Sequence, residues 1–137
     1  MKVTKFSLTE WGEMKPEILH SLCFNELREH KANTFDFALL VTDEDIPQCY
    51  ATCIEMDNES IYMQHGGALP SAKENLRAVR GYHLIINWIK EKYKRASTRI
   101  ENKNIAMLKL AFSAGFLVNG IDLFGDEIFL HLKNDFN

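Results

Sequence analysis

The side chains of this 137-residue chain that could move a proton or hold an anion gather in its middle. His65 stands directly before Gly66-Gly67, at the predicted end of a strand. An imidazole titrates near ~6.5, so it can take or give a proton close to neutral pH. The plainer role for such a residue is an exposed turn or capping histidine. Glu55, Asp57 and Tyr62 are further proton carriers on the same pair of predicted strands. From Lys73 to Lys109, ten basic residues face three acidic ones, a local +7 inside a chain whose formal charge is −3. Such a cationic stretch suits an anionic ligand, whether nucleotide, phosphate or nucleic acid. It equally describes the solvated faces of one helix and one strand.

Other chemistries find less support. Cys49 and Cys53 lie four apart on a predicted strand, roughly 13 Å when extended, too far for a disulfide or a shared metal. With Cys23 they make an odd count of three, which argues for a reducing compartment and a cytoplasmic protein. The N-terminal MKVTKFSLTEWGEM has no apolar core of a secretory signal, and no apolar run reaches membrane-span length. The five histidines (His20, His30, His65, His83 and His131) show no metal-ligand spacing, so no metal site is expected. There is no Gly-x-Ser-x-Gly and no Walker loop. The basic tract lacks the interleaved aromatic platform of a single-strand binder, and no helix-turn-helix pattern stands out.

The elements that must position these residues read as one domain over 1–137. VTKFSL (3–8) alternates as a strand. Pro16 fits a first helical turn, and Leu19, Leu22, Cys23 and Leu27 follow at helical spacing. FDFALLV (35–41), QCYATCIEM (48–56) and SIYMQ (60–64) read as three antiparallel strands, with turns at 43–47 and 57–59. Ser71 with Glu74 forms a capping box, and Leu76, Val79, His83, Ile86, Ile89 and Tyr93 keep a 3.6 period. A long helix is therefore predicted from about Ala72 to Tyr93. RASTRIE (95–101) alternates as a strand. Asn102 or Asn104 caps a short helix with Ile105, Leu108 and Phe112 as its apolar stripe, and Gly115 ends it. FLVNGIDLFGDEIFLHL (116–132) holds two strands around Gly125-Asp126. The order β-α-β-β-β-α-β-α-β-β gives an α/β chain with a central mixed sheet flanked by helices.

This order, together with NIAMLKLAFSAGF (104–116), resembles the GNAT acetyltransferase superfamily. In that family's motif B an Asn opens a short helix and Gly-Phe closes it, as Asn104 and Gly115-Phe116 do here. The brevity of the chain is also similar to small GNAT-type proteins of tailed phages. The resemblance implies acetyl-CoA as co-substrate and an amine acceptor. It places the diphosphate near 64–77, with Met63, Gln64, Gly66, Gly67, Lys73, Asn75 and Arg77 as cofactor contacts and Asn104 on the pantetheine side. It calls for a general base near the sheet's opening, for which His65 and Glu55 are the candidates. The sequence departs from the family pattern at two positions. Leu76 stands where the diphosphate loop usually has glycine, and Ala111 where many members carry a tyrosine that protonates the leaving thiolate. Two functions stay open: an N-acetyltransferase with a divergent diphosphate loop, or a GNAT-fold module that binds a protein partner without catalysis, such as a phage structural or accessory protein.

Overall fold

The computed structural model of the protein describes residues 1–14, 35–69 and 76–136. The helix predicted after Pro16, the Ser71/Glu74 capping box, Cys23, His20, His30, Lys73 and Asn75 lie outside the described residues.

Among the described residues, ten elements follow in chain order: β1 (Lys2–Ser7), α1 (Leu8–Glu13), β2 (Phe37–Asp43), β3 (Ile46–Glu55), β4 (Ser60–Ala68), α2 (Arg77–Lys92), β5 (Arg95–Glu101), α3 (Ile105–Ser113), β6 (Leu117–Phe124) and β7 (Glu127–Asp135). The seven strands form one sheet in the order β1-β2-β3-β4-β5-β7-β6. Every neighbouring pair is antiparallel except β4 with β5, which α2 connects as parallel strands. The expected mixed α/β sheet is therefore present.

Both faces of the sheet are covered near β2, where Phe37 to Val41 are five consecutive buried residues. A strand buried on both faces reads as a continuous apolar run. One face carries α2 and α3, packed on Leu39, Val41, Cys53, Ile61 and Leu132. The other carries Trp11 of α1 against Tyr50, Ala38 and Leu40.

Three boundaries differ from the sequence reading. The first strand stops at Ser7, whose hydroxyl accepts from Glu10 N while Glu10 reaches back to Ser7 N. That capping box, Ser-x-x-Glu, starts α1 where the alternation of 3–8 suggested more strand. β4 runs on to Ala68, so His65, Gly66 and Gly67 lie inside a strand rather than at its end. The long helix does not run through residue 76. Leu76 has φ 59°, a left-handed conformation, and α2 starts behind it at Arg77.

The α3 reading holds at both ends. Asn104 Oδ1 accepts from Met107 N at 3.2 Å, and Gly115 takes φ 98°. Its buried side is Leu108 and Ala111, however, while Ile105 and Phe112 are exposed. The helix is turned so that the small Ala111 meets the sheet.

Candidate functional site

β4 and β5 are paired over four residues only, from Ser60 with Arg95 to Met63 with Thr98. Beyond this seam β4 stays on β3 as far as Ala68, and β5 stays on β7 as far as Glu101. The two strands part. Register supplies the cause: Thr52 pairs with His65 and Cys53 with Met63, leaving Gln64 as an extra residue in β4. A bulge of this kind bends its strand away from the neighbour. Thr52 is fully buried and holds the bulge, its Oγ1 accepting from His65 N at 3.1 Å. On the other side of the seam Thr98 Oγ1 donates to Met63 O at 3.0 Å and closes the last rung.

The parting opens a cleft of about 850 Å³, within the range of small-molecule sites. Gln64 to Ala68 form one wall and Thr98 to Glu101 the other. Ala78, Val79 and Tyr82 of α2, with Met107 and Leu110 of α3, line the rest. Along this wall the β4 backbone at 66–68 has no strand on its β5 side among the described residues. Main-chain donors and acceptors left without a strand partner call for partners elsewhere. Two helix starts border the cleft, that of α2 at Arg77 and that of α3 at Asn104, and helix N-termini favour negative charge.

Of the residues nominated from sequence, Met63, Gln64, His65, Gly66, Gly67 and Asn104 line this cleft. Gly66 has a packing reason as well, since a Cβ there would meet Tyr50 O at 2.8 Å. Arg77 sits in the first turn of α2 and forms a 3.4 Å ion pair with Asp43. Glu55 is not in the cleft. It ends β3 beside a separate cavity of about 370 Å³ with Lys5 and Asp36, and its carboxylate accepts from the Tyr93 hydroxyl. Burial first, and that hydrogen bond second, push the Tyr93 hydroxyl up. Asp57 is occupied in the β3–β4 turn, accepting from Glu59 N at 2.8 Å, a bond that holds its carboxyl below the usual range.

The +7 tract is dispersed by the fold. Lys94 pairs with Glu59, Arg95 lies between Glu59 and Asp135, and Lys92 sits over the Trp88 ring. His83 bonds Ser113 Oγ at 3.1 Å between α2 and α3, a satisfied packing histidine. Among the described residues no group of three or more His, Cys, Asp or Glu is placed to hold a metal, and no helix is long and apolar enough to cross a membrane.

Sequence reasoning missed three cleft groups. Arg99 lies with its guanidinium 3.9 Å from the Phe129 ring centre and 3.0 Å from Asp122. Glu101 lines the cleft two residues along the same strand face. Tyr82 presents a buried hydroxyl with no hydrogen-bond partner among the described residues. Only the strand alternation of RASTRIE hinted at the first two, because their partners come from β6 and β7.

No family model and no curated protein sequence matches the chain. Solved structures do. The ribosomal-protein-S18-alanine N-acetyltransferase from Escherichia coli superposes with a TM-score of 0.76 at 11% identity, over 98% of this chain and 93% of that one. Arabidopsis thaliana Naa50, in complex with the bisubstrate analogue CoA-Ac-MVNAL, gives 0.72 at 13% identity over 99% and 100%. The yncA structure from Salmonella typhimurium, which contains its cofactor acetyl-CoA, gives 0.70 at 12% identity over 100% and 94%. The chain has the GNAT fold. At such low identity the likeness speaks for architecture. Within the GNAT fold the parted strands β4 and β5, the short helix from Asn104 to its Gly115 stop, and the final hairpin all stand in the order that the sequence suggested.

Proposed function

We propose that this GNAT-fold chain is an acetyl-CoA-dependent N-acetyltransferase, with the acyl arm of the co-substrate lying between β4 and β5. The observation that carries the reading is the bulge-driven parting of these strands into a cleft of about 850 Å³. The fit is reasonable on the residues present. A pantetheine arm is an extended chain with two amides, and β4 offers an open strand edge at 66–68 to receive them. Asn104 spends its Oδ1 on capping α3, which leaves its Nδ2 hydrogens for a ligand on that wall. The start of α2 favours the diphosphate, and Lys73 and Asn75 belong to the same proposed contact set.

The co-substrate supplies an activated acetyl group as a thioester. Transfer joins the acceptor nitrogen to the acetyl carbon and breaks the carbon–sulfur bond. The protein must take one proton from the amine and allow one to reach the departing sulfur. His65 is our choice for the first task, with Glu101 of the facing wall as the second carboxylate or imidazole within the cleft. Glu55 is not chosen, because it lies outside the cleft. Ala111 is fully buried and has no hydroxyl, so the sulfur takes its proton from solvent.

The second reading, a binding module without turnover, draws on Leu76 and Ala111. Both readings are tested by titrating acetyl-CoA while following thermal unfolding. Ligand at about 100 times its dissociation constant adds about 2.7 kcal/mol of stability. No shift at millimolar acetyl-CoA would sink the transferase. A shift with no acetyl transfer to any of a panel of amines and N-terminal peptides would leave the binding module.

A further inference from the structure

Alternation sorts the side chains of β5 onto two faces. Ala96, Thr98 and Ile100 are buried, and Ala96 and Ile100 join the core beneath α2 and α3. Arg99 and Glu101 therefore stand on the opposite face of the sheet. Register brings β7 and β6 to the same face. Arg99 is paired with His131, and Glu101 with Phe129, which is paired in turn with Asp122. Arg99 and Glu101 both line the cleft, so one wall carries a cation and a carboxylate side by side where the strands part.

Arg99 is held in place from two sides. Its guanidinium lies over the Phe129 ring, and Asp122 meets one Nη at 3.0 Å. Asp122 is half exposed and also stands 4.0 Å from His131, so it steadies the arginine without enclosing it. A planar guanidinium fixed at one face and one corner keeps its remaining donors aimed in one direction. Its Nε–H is buried with no hydrogen-bond partner among the described residues. A buried donor left unmatched is costly, and an arriving acceptor relieves it. A carboxylate suits such a donor set, because it accepts two parallel N–H bonds. Glu101 is the complement, since its carboxylate forms no ion pair among the described residues.

We infer that the acyl acceptor is a free amino acid, its carboxylate held by Arg99 and its ammonium by Glu101. The inference rests on the acetyltransferase reading above. Residues two apart on a strand stand about 6.6 Å from each other, and charge-assisted hydrogen bonds run about 2.8 Å. The ligand's two charges must therefore lie within a few bonds of one another. A peptide N-terminus presents a neutral amide where the carboxylate belongs and leaves Arg99 unmatched. A diamine brings a second cation against the guanidinium. In the transfer the ammonium sheds two protons and its nitrogen bonds the acetyl carbon as the carbon–sulfur bond breaks. One proton ends on the sulfur and the other leaves to solvent.

The test follows thiol release from acetyl-CoA by the full chain with the standard amino acids as acceptors. Each one that reacts is then compared with its carboxamide and its decarboxylated amine. The free acid should exceed both by about 30-fold in kcat/KM, the weight of a hydrogen-bonded charge. Arg99→Gln should bring the acid-to-amide ratio close to one, and Arg99→Lys, which keeps the charge without the fork, should fall between. A merely structural arginine would leave that ratio in place. The comparison on the parent chain stands even if Arg99→Gln does not fold. There the Arg99 Nε–H resonance should also shift and exchange more slowly when the reactive amino acid is added with CoA. If acetyl-CoA raises the melting temperature but amides or peptides react as well as the acids, or no amino acid reacts, the inference is overturned and the transferase reading stands. An acid-to-amide ratio unchanged in Arg99→Gln overturns it as well. No melting shift with acetyl-CoA removes the transferase reading and this inference with it.

Discussion

Gly81 of α2 lies so close to Cys49 of β3 that a Cβ on the glycine would stand 2.4 Å from the sulfur. The glycine is therefore a packing residue, and it lets α2 settle onto the strand that forms the back of the cleft. Alanine is the better helix former by about 1 kcal/mol, but overpacking a core costs roughly 1–3 kcal/mol. Gly81→Ala should lower stability by about 1–2 kcal/mol in urea unfolding. Adding Cys49→Ala should restore part of it, since the obstructing atom is gone, and a double-mutant cycle would show that coupling. Additive losses would mean that the sulfur moves aside freely.

Leu76 takes φ 59° at the entrance to α2 and is largely exposed. A left-handed backbone costs a side-chain-bearing residue about 1–2 kcal/mol. Leu76→Gly should raise the stability of the free protein by about 0.5–1 kcal/mol, a few degrees in melting temperature. In the GNAT superfamily that the sequence resembles, glycine is the usual residue at the matching point of the diphosphate loop. On the proposed function, the same change should tighten acetyl-CoA binding, which isothermal titration reads directly. A destabilised Leu76→Gly would show that the leucine side chain makes a contact that outweighs its backbone.

Burial pushes the Cys53 thiol up to about 12. The sign follows from linkage. In the unfolded chain the thiol loses its proton near the ordinary value of 9.0, while the folded chain keeps it. The stability linked to Cys53 is intact below that value and falls as pH rises towards the folded one, by up to about 1.4 kcal/mol per pH unit. Unfolding measured between pH 8 and pH 10 should show this decline, and it should flatten in Cys53→Ala even though that variant is less stable overall. Thiol reagents should fail to reach Cys53 in the native fold at neutral pH.

The cleft assigns roles that activity can separate. His65→Ala should reduce kcat/KM for acetyl transfer by about 100-fold or more, the usual weight of a general base. Glu55→Gln should stay within about threefold, because it only releases the Tyr93 hydroxyl at a distance from the cleft. If Glu101→Gln is the variant that collapses while His65→Ala retains activity, the proton acceptor is the carboxylate.

The frame was legible because its signals are local. The Asp57 turn, the Asn104 cap and the Gly115 stop each depend on a few adjacent residues, and each stands where the sequence put it. The bulge was not legible. Gln64 becomes an extra residue only because Thr52, twelve positions earlier, offers its hydroxyl to the His65 amide. Likewise Arg99 reads as one basic residue among ten until β6 brings Asp122 to it. The period of the long helix survived, yet its start moved, because the Ser71/Glu74 pattern says nothing about a left-handed turn at Leu76. On α3, hydrophobicity favoured Phe112 as the inward residue, while the space available against the sheet accepted only Ala111.

Among the described residues, the four-residue seam between β4 and β5 is the only strand pairing that joins β1–β4 to β5–β7 in the sheet. Mechanically the molecule is thus a book with a short spine, its two leaves tied at one end and open at the other. Anything seated along the open edges works as a second binding for the volume. Pulling the termini apart should therefore tear the empty protein at the Ser60–Met63 spine, and a seated ligand should raise that force far more than it raises the force needed to peel any other pair of strands.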